Sequence, residues 1–278
     1  MIPPRHAAVE MVARRRLDAE LVHRGLSRSR DSAREIIESG LVVVNGVVAT
    51  KAATQVDQTA SLVIDETAQH DKYVSRGAYK LIGALDQFAA MGLEVAGKRA
   101  LDAGASTGGF TQVLLRRGVA HVCAVDVGYG QLAWNLRQDD RVTVVERVNV
   151  RELTAAQLPY APNLVTADLS FISLTLVLAP LVAVSAIGSD FLVMVKPQFE
   201  VGRDNLGPGG VVRETDLRTA AVRKIADAGH RLGLGMAAVT ASPLPGPSGN
   251  VEYFLWLRAD APPPDDERIA VAIAEGPQ

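Results

Sequence analysis

The first 65 residues carry two helical periods followed by an alternating one. Leu17, Leu21 and Val22 recur at helical spacing and Gly25 supplies a stop, so the pattern predicts a helix over 17–26. Ser29 offers the N-cap of a second helix, with Ser32-Ala33-Arg34-Glu35 as a capping box if that helix starts later. Its apolar face is Ala33, Ile36 and Ile37, and Gly40 follows as the terminating residue. Next, Leu41-Val42-Val43-Val44 and Val47-Val48 flank Asn45-Gly46, the strongest short-range signal for a hairpin. Residues 61–65 supply a further strand. The expectation for 1–65 is two helices on a small sheet. Polar residues 66–72 then suggest a linker, drawn over 66–74.

From Tyr73 onward strands and helices alternate. A helix with Leu81, Leu85 and Phe88 on one face should end near Gly92. Strand-like runs follow at 99–103, 122–125, 142–145, 164–167, 191–195, 237–240 and 253–257. This succession predicts an α/β fold, a Rossmann-like, seven-stranded, mostly parallel sheet over 75–260, with a small N-terminal α+β domain. The apolar stretch from Leu174 to Ile187 reads as a buried helix. Residues 261–278, beginning near Pro262-Pro263-Pro264, read as a loosely attached tail.

Composition narrows the classes. At 278 residues the chain has room for one large or two unequal domains, and 48% apolar residues suffice for a sizeable core. A net charge of −2 means that any nucleic-acid footprint is a local patch. The one cysteine, Cys123 in an apolar run, rules out an internal disulfide framework and a multi-cysteine zinc site, and reads as a buried strand thiol. No signal-peptide pattern opens the chain, and no apolar run reaches the ~20 residues of a membrane span, which points to a cytoplasmic protein.

Charge is concentrated in the N-terminal unit. Seven arginines fall between Arg14 and Arg34, against Asp18, Glu20 and Asp31. Arg30 and Arg34 share a helix face, and arginine's planar fork suits phosphate. A solvated, salt-bridged helix surface explains the charge equally well. Helix, arginine-bearing helix and Val-Asn-Gly-Val hairpin together resemble the RNA-binding module named after ribosomal protein S-four. That resemblance, over about residues 16–65, makes Arg16, Arg28, Arg30 and Arg34 the candidate RNA contacts.

The chemistry-bearing loop follows the first of the seven strands: Asp102-Ala103-Gly104-Ala105-Ser106-Thr107-Gly108-Gly109-Phe110 opens a helix. Its glycines allow a sharp turn and close approach of a ligand to the backbone. Asp126, ending the next strand, can accept both ribose hydroxyls of an adenosine ligand. A nicotinamide enzyme shares these features. However, Gly-x-x-x-Gly-Gly provides less well for a pyrophosphate than Gly-x-Gly-x-x-Gly, which favours S-adenosylmethionine. Asn149 and Val150 are candidates to flank the adenine, with an ordinary turn as the alternative.

Further groups lie where such sheets bind ligands. Asp168 ends the fourth strand, Lys196 ends the fifth, Glu252 precedes the last, and Lys80 lies on the first helix of this region. A purely structural salt bridge between Lys196 and Asp168 is the bland alternative. Lys-Asp-Lys-Glu in this order, with the segments SRGAYKL, GASTGGFT, ADLSFISL, KPQFE and GGVV, closely resembles the hemolysin A (TlyA) family over about residues 16–257. The resemblance implies an S-four-like module joined to a methyltransferase domain of the FtsJ class. It also implies methyl transfer from S-adenosylmethionine to the 2′-hydroxyl of cytidines in ribosomal RNA of both subunits. Lys80, Asp168, Lys196 and Glu252 then become a catalytic tetrad, with Asp168 also near the cofactor. The chain departs from the family at Gln112, where an acidic residue is expected, and at Tyr73, where other members carry tryptophan.

A lysine desolvated beside a second cation can take the ribose proton, so Lys80 is expected beside Lys196, with Lys196 favoured as base. Ribosomal RNA or ribosomal subunits are the expected partner, with neither membrane nor metal. The five histidines (6, 23, 70, 121, 230) are scattered. A membrane-active cytolysin would need amphipathic or spanning segments, and none is evident. A non-catalytic RNA-binding or assembly factor would have no use for the glycine loop and the tetrad. A pseudouridine synthase would not need this strand-loop-helix.

Overall fold

The computed structural model describes residues 14–38, 40–64, 73–246 and 248–276. The chain divides into two compact units, Met1–Lys72 and Tyr73–Gln278. Histidines 6 and 70 and most of the expected linker lie outside the described residues.

In the first unit, β1 (Arg14–Arg16) leads into α1 (Leu17–His23), and α2 (Arg30–Glu38) follows. The strands β2 (Val42–Val44), β3 (Val47–Ala49), β4 (Gln55–Asp57) and β5 (Leu62–Ile64) complete it. Ser29 Oγ accepts the Ser32 backbone N–H at 3.1 Å, so Ser29 caps α2. Asn45 and Gly46 have φ of 48° and 83°, the turn that a two-residue hairpin requires. Leu17, Leu21, Ala33, Ile37, Val42 and Val56 form the core. Among the described residues two sheets occur rather than one: β1 pairs with β4, and β3-β2-β5 form the other. The β1–β4 pair has no apolar alternation to announce it, because β1 is three consecutive arginines.

The second unit begins earlier than the sequence pattern suggests. Val74 N–H is held by Gln112 Oε1 at 2.8 Å, and Tyr73 packs against Tyr79 and under Arg116. Its elements are α3 (Gly77–Ala89), β6 (Arg99–Ala103), α4 (Gly109–Arg116), β7 (His121–Asp126), α5 (Trp134–Arg137), β8 (Val142–Glu146) and β9 (Leu164–Ala167). They continue with α6 (Leu178–Val184), β10 (Asp190–Val195), α7 (Thr215–Arg231), β11 (Gly235–Ala241), β12 (Tyr253–Arg258) and α8 (Asp266–Glu275).

The sheet runs β11-β12-β10-β9-β6-β7-β8, with β12 antiparallel to both neighbours. Alternate residues build two cores. Leu101, Val125, Val193 and Tyr253 pack with α6, α7 and α8, whereas Ala100, Val122, Leu192 and Phe254 pack with α3 and α4. Strand order reverses around β6, between β7 and β9, so the crevice for a ligand opens at the carboxyl ends of those strands.

Two expectations are corrected. Residues 261–276 are not loosely attached: Met236 N–H bonds Pro262 O at 2.8 Å along the edge strand. Asp265 caps α8, whose Ile269, Ala272 and Ile273 are buried. The run from Leu174 to Ile187 is not one buried helix. A short helical turn precedes the seven-residue α6, Pro180 falls near its start, and Ile187 is fully exposed.

Candidate active site

Close approach explains the glycines of the 104–109 loop. Gly104 has φ +86°, and a Cβ there would lie 2.5 Å from the carbonyl oxygen of Asp168. A Cβ at Gly108 (φ +98°) would strike Leu136, and one at Gly109 would meet Ser75 Oγ and lie 3.1 Å from Ala78 N. Glycine is therefore what lets α4 start against both the β9 strand end and the start of α3. A cleft results, lined by residues 104–107, Gly109, Phe110, Ser75, Gly77 and Asp168.

Asp126 closes one side of this loop. Its Oδ2 accepts Ser106 N–H at 2.8 Å and its Oδ1 accepts Gly128 N–H at 2.7 Å. Asp102 behaves otherwise and corrects the sequence reading of it as a ligand contact. It is fully buried, and its oxygens accept the hydroxyls of Thr111 at 2.7 Å and Thr166 at 3.1 Å. Burial, with a smaller push from Asp168, raises its acid to about 6. It fastens the loop from below. Asn149 is exposed, its Oδ1 capping a turn through Arg151 N–H at 3.1 Å, while Val150 is in the core. Neither is among the residues that line the cleft around the 104–110 loop.

Sheet register gathers three of the four reacting-group candidates. Val193 pairs with Ala167 and Val195 with Tyr253, so Asp168, Lys196 and Glu252 leave three adjacent strands at one edge. Lys196 Nζ lies 2.6 Å from Asp168 Oδ1, too oblique for a hydrogen bond, and donates to Ser170 Oγ at 2.9 Å. Lys80, from the first turn of α3, donates to Glu252 Oε2 at 2.5 Å. Each lysine thus has its own carboxylate as partner. Lys80, Lys196 and Glu252 are buried.

Sequence reading missed the supports of this edge. Glu200, buried, accepts Ser173 Oγ at 2.5 Å and Leu174 N–H at 2.8 Å, and pairs with Lys224 at 3.1 Å. It ties the loop after β10 to the loop after β9. Phe171, at φ +63° and 92% exposed, stands against Phe199 with ring centroids 5.2 Å apart. A positive φ on an exposed aromatic has no signature in a single sequence.

In the N-terminal unit the four candidate arginines divide. Arg16 and Arg30 both donate to Asp18, at 2.9 Å and 3.1 Å. Arg28 and Arg34 are exposed, with no ion pair among the described residues. Arg15 and Arg24 are held by Glu20, each at 2.8 Å.

An FtsJ-like methyltransferase model matches residues 73–259, and an S4 domain model matches residues 15–61. A Mycobacterium tuberculosis protein named 16S/23S rRNA (cytidine-2′-O)-methyltransferase TlyA is 53% identical over 272 residues, covering 96% of this chain and all of its own. Hemolysin A of Brachyspira hyodysenteriae is 38% identical, over 86% of this chain and 98% of its own. The chain belongs to the TlyA family of FtsJ-like methyltransferases. A solved structure of a Streptococcus thermophilus protein described as a hemolysin superposes with a TM-score of 0.73 at 35% identity, over 95% of this chain and 96% of the other.

Within this TlyA-family chain, Gln112 replaces the expected acid. It is buried and spends its acceptor on Val74 N–H, a structural use rather than a ligand contact. Cys123 is buried in β7, and that burial pushes its thiol up to about 12. Among the described residues, no group of three or more His, Cys, Asp and Glu side chains is placed to hold a metal. No described helix is long and apolar enough to cross a membrane.

Proposed function

We propose that this chain methylates the ribose 2′-hydroxyl of cytidines in small- and large-subunit ribosomal RNA, using S-adenosylmethionine. The observation that carries this reading is the gathering of two lysine–carboxylate pairs at the strand ends beside a glycine-built cleft. The M. tuberculosis relative, by its name, acts on cytidine 2′-oxygens of both ribosomal RNAs.

The cleft fits the cofactor. Its floor is backbone that a Cβ would fill, and Asp126 stands at the next strand end, where a ribose diol would be received. Residues 104–110 would hold the ligand, with exposed Asn149 toward its adenine. Arg147 N–H and Val148 N–H bond Gly128 O and Asp126 O at 3.1 Å, which places that segment alongside. Bound there, S-adenosylmethionine supplies a methyl group on a sulfonium, so the hydroxyl needs alignment and removal of one proton.

Lys196 is the base. Its amine sits at the strand end that the cleft reaches through Asp168, and Asp168 holds it in place. Glu252 fixes Lys80, whose ammonium stays near the reacting oxygen as a donor. Phe171 offers an exposed ring face on which a nucleobase can stack. Arg16, Arg28, Arg30 and Arg34 engage the RNA backbone.

Ribosomal subunits incubated with methyl-labelled cofactor and mapped for modified riboses test the reading. Wild-type protein should label cytidine 2′-oxygens. Lys196→Ala should lose at least about 100-fold in turnover while retaining RNA affinity. Full turnover by that variant, or label on a base, would overturn the assignment.

A further inference from the structure

We propose that Ser170 carries protons between Lys196 and solvent, as a positioning residue that acts through the base. The inference rests on the reading of Lys196 given above. A buried lysine used as a base enters each turnover as an amine, takes one proton from the ribose hydroxyl, and must shed that proton before the next. Lys196 is 8% exposed, and among the described residues its side chain pairs with Asp168 and bonds Ser170. The Asp168 oxygen nearest to Nζ is itself buried and meets it obliquely. Ser170 accepts from Nζ in a 2.9 Å hydrogen bond and belongs to an exposed residue. A hydroxyl can accept on one lone pair while donating its own O–H outward.

The step balances. A proton leaves Lys196 Nζ for Ser170 Oγ as the serine's own proton passes to a water molecule. The serine is regenerated, the lysine becomes an amine, and solvent gains one proton. That proton is the one the lysine took from the ribose hydroxyl during methyl transfer, so one proton leaves per turnover. No oxidant, metal or cofactor is consumed.

The surroundings make this a built geometry. Glu200 binds the Ser173–Leu174 segment to the loop following Lys196, which fixes the two loops that carry serine and lysine. Lys224 holds Glu200 through both its carboxylate and its backbone carbonyl, at 3.1 Å and 2.8 Å. Phe171, immediately after Ser170, is kept at φ +63°, which sets how the loop turns at the serine.

The test uses full-length protein in four forms: wild type, Ser170→Ala, Ser170→Thr and Lys196→Ala. Ser170→Ala should lower turnover about 10- to 100-fold, with RNA and cofactor affinities unchanged, and Ser170→Thr should recover most of it. Raising the concentration of imidazole buffer should accelerate Ser170→Ala and leave wild type unmoved, because a small base in solution replaces a lost proton path. A merely structural defect would not respond to buffer.

A second readout needs no turnover. In protein labelled with 15N-lysine, exchange of the Lys196 ammonium protons with water should slow in Ser170→Ala and recover in Ser170→Thr. Undiminished turnover of Ser170→Ala, absence of buffer rescue, or unchanged or faster exchange would overturn the relay while leaving methyl transfer intact. Turnover by Lys196→Ala would instead overturn the assignment of the base.

Discussion

Asp18 in the N-terminal unit and Asp102 beneath the glycine loop are both 0% exposed, yet their neighbours differ. Around Asp18 stand the guanidinia of Arg16 and Arg30 and the backbone N–H of Ala19. Around Asp102 stand the hydroxyls of Thr111 and Thr166 and the backbone N–H of Thr111, with no cation among the described residues. Hydrogen bonds from Arg16 hold the Asp18 carboxyl well below the ordinary carboxylate range, against the opposing effect of burial. Nothing cationic offsets burial at Asp102, and its acid rises to about 6. In one unit the buried charge organises other charges for display. In the other it is a fixture under a loop, and the paired charges are the buried lysine–carboxylate pairs at the strand ends.

Asp102→Asn should sharpen this contrast with the largest effect. A folded-state acid raised above its unfolded value binds more protons in the native state between about pH 4 and pH 6. Stability from this group is therefore highest in acid and falls as pH rises through that window. Relative to wild type, the uncharged variant should gain stability on going from pH 4 to pH 7, by up to about 3 kcal/mol. Urea unfolding at several pH values measures it. A constant difference across the window would mean that Asp102 is not the buried, unpaired acid described here.

Asp18→Asn should give the opposite trend. A depressed carboxylate stabilises above its unfolded value near pH 4, and that contribution fades as pH falls below it. At pH 7 the variant should be less stable than wild type by about 2 kcal/mol, the scale of hydrogen bonds to a charged group. Its RNA affinity should also fall, although a negative charge has been removed next to the arginines proposed to meet phosphate. Simple net charge forecasts tighter binding. An increase in affinity would show that Asp18 screens Arg16 and Arg30 rather than orienting them.

Periodic patterns made most of the architecture legible. The seven strands of the large sheet were readable because each is an apolar run, most of them separated by helix-length segments, and the hairpin was readable because Asn45-Gly46 has one favoured turn. Motif and strand-end position together singled out Lys80, Asp168, Lys196 and Glu252, which the structure joins in two ion pairs. What escaped depends on three-dimensional neighbours. The role of Asp102 turns on whether its side chain faces the cleft or the threonines, and a strand end looks the same in both cases. Ser170 and Glu200 were ordinary polar residues until the loops carrying them met. Residues 261–276 read as tail because proline and charge mask the three apolar positions that α8 buries.

The arginines supply the subtlest test of the contrast. Arg28 and Arg34 are exposed and pair with no acid among the described residues, whereas Arg16 and Arg30 share one. Replacing Arg28 and Arg34 with alanine should weaken RNA binding and reduce the slope of log affinity against log salt by about 1 to 2, while thermal unfolding stays unchanged. The same exchange at Arg16 and Arg30 should reduce the slope similarly but also lower stability, because Asp18 is left buried without its guanidinia. If both pairs changed only the slope, Asp18 would be no anchor. If neither did, the RNA would be read elsewhere, because counterion release requires cations that reach phosphate, whatever their number on the surface.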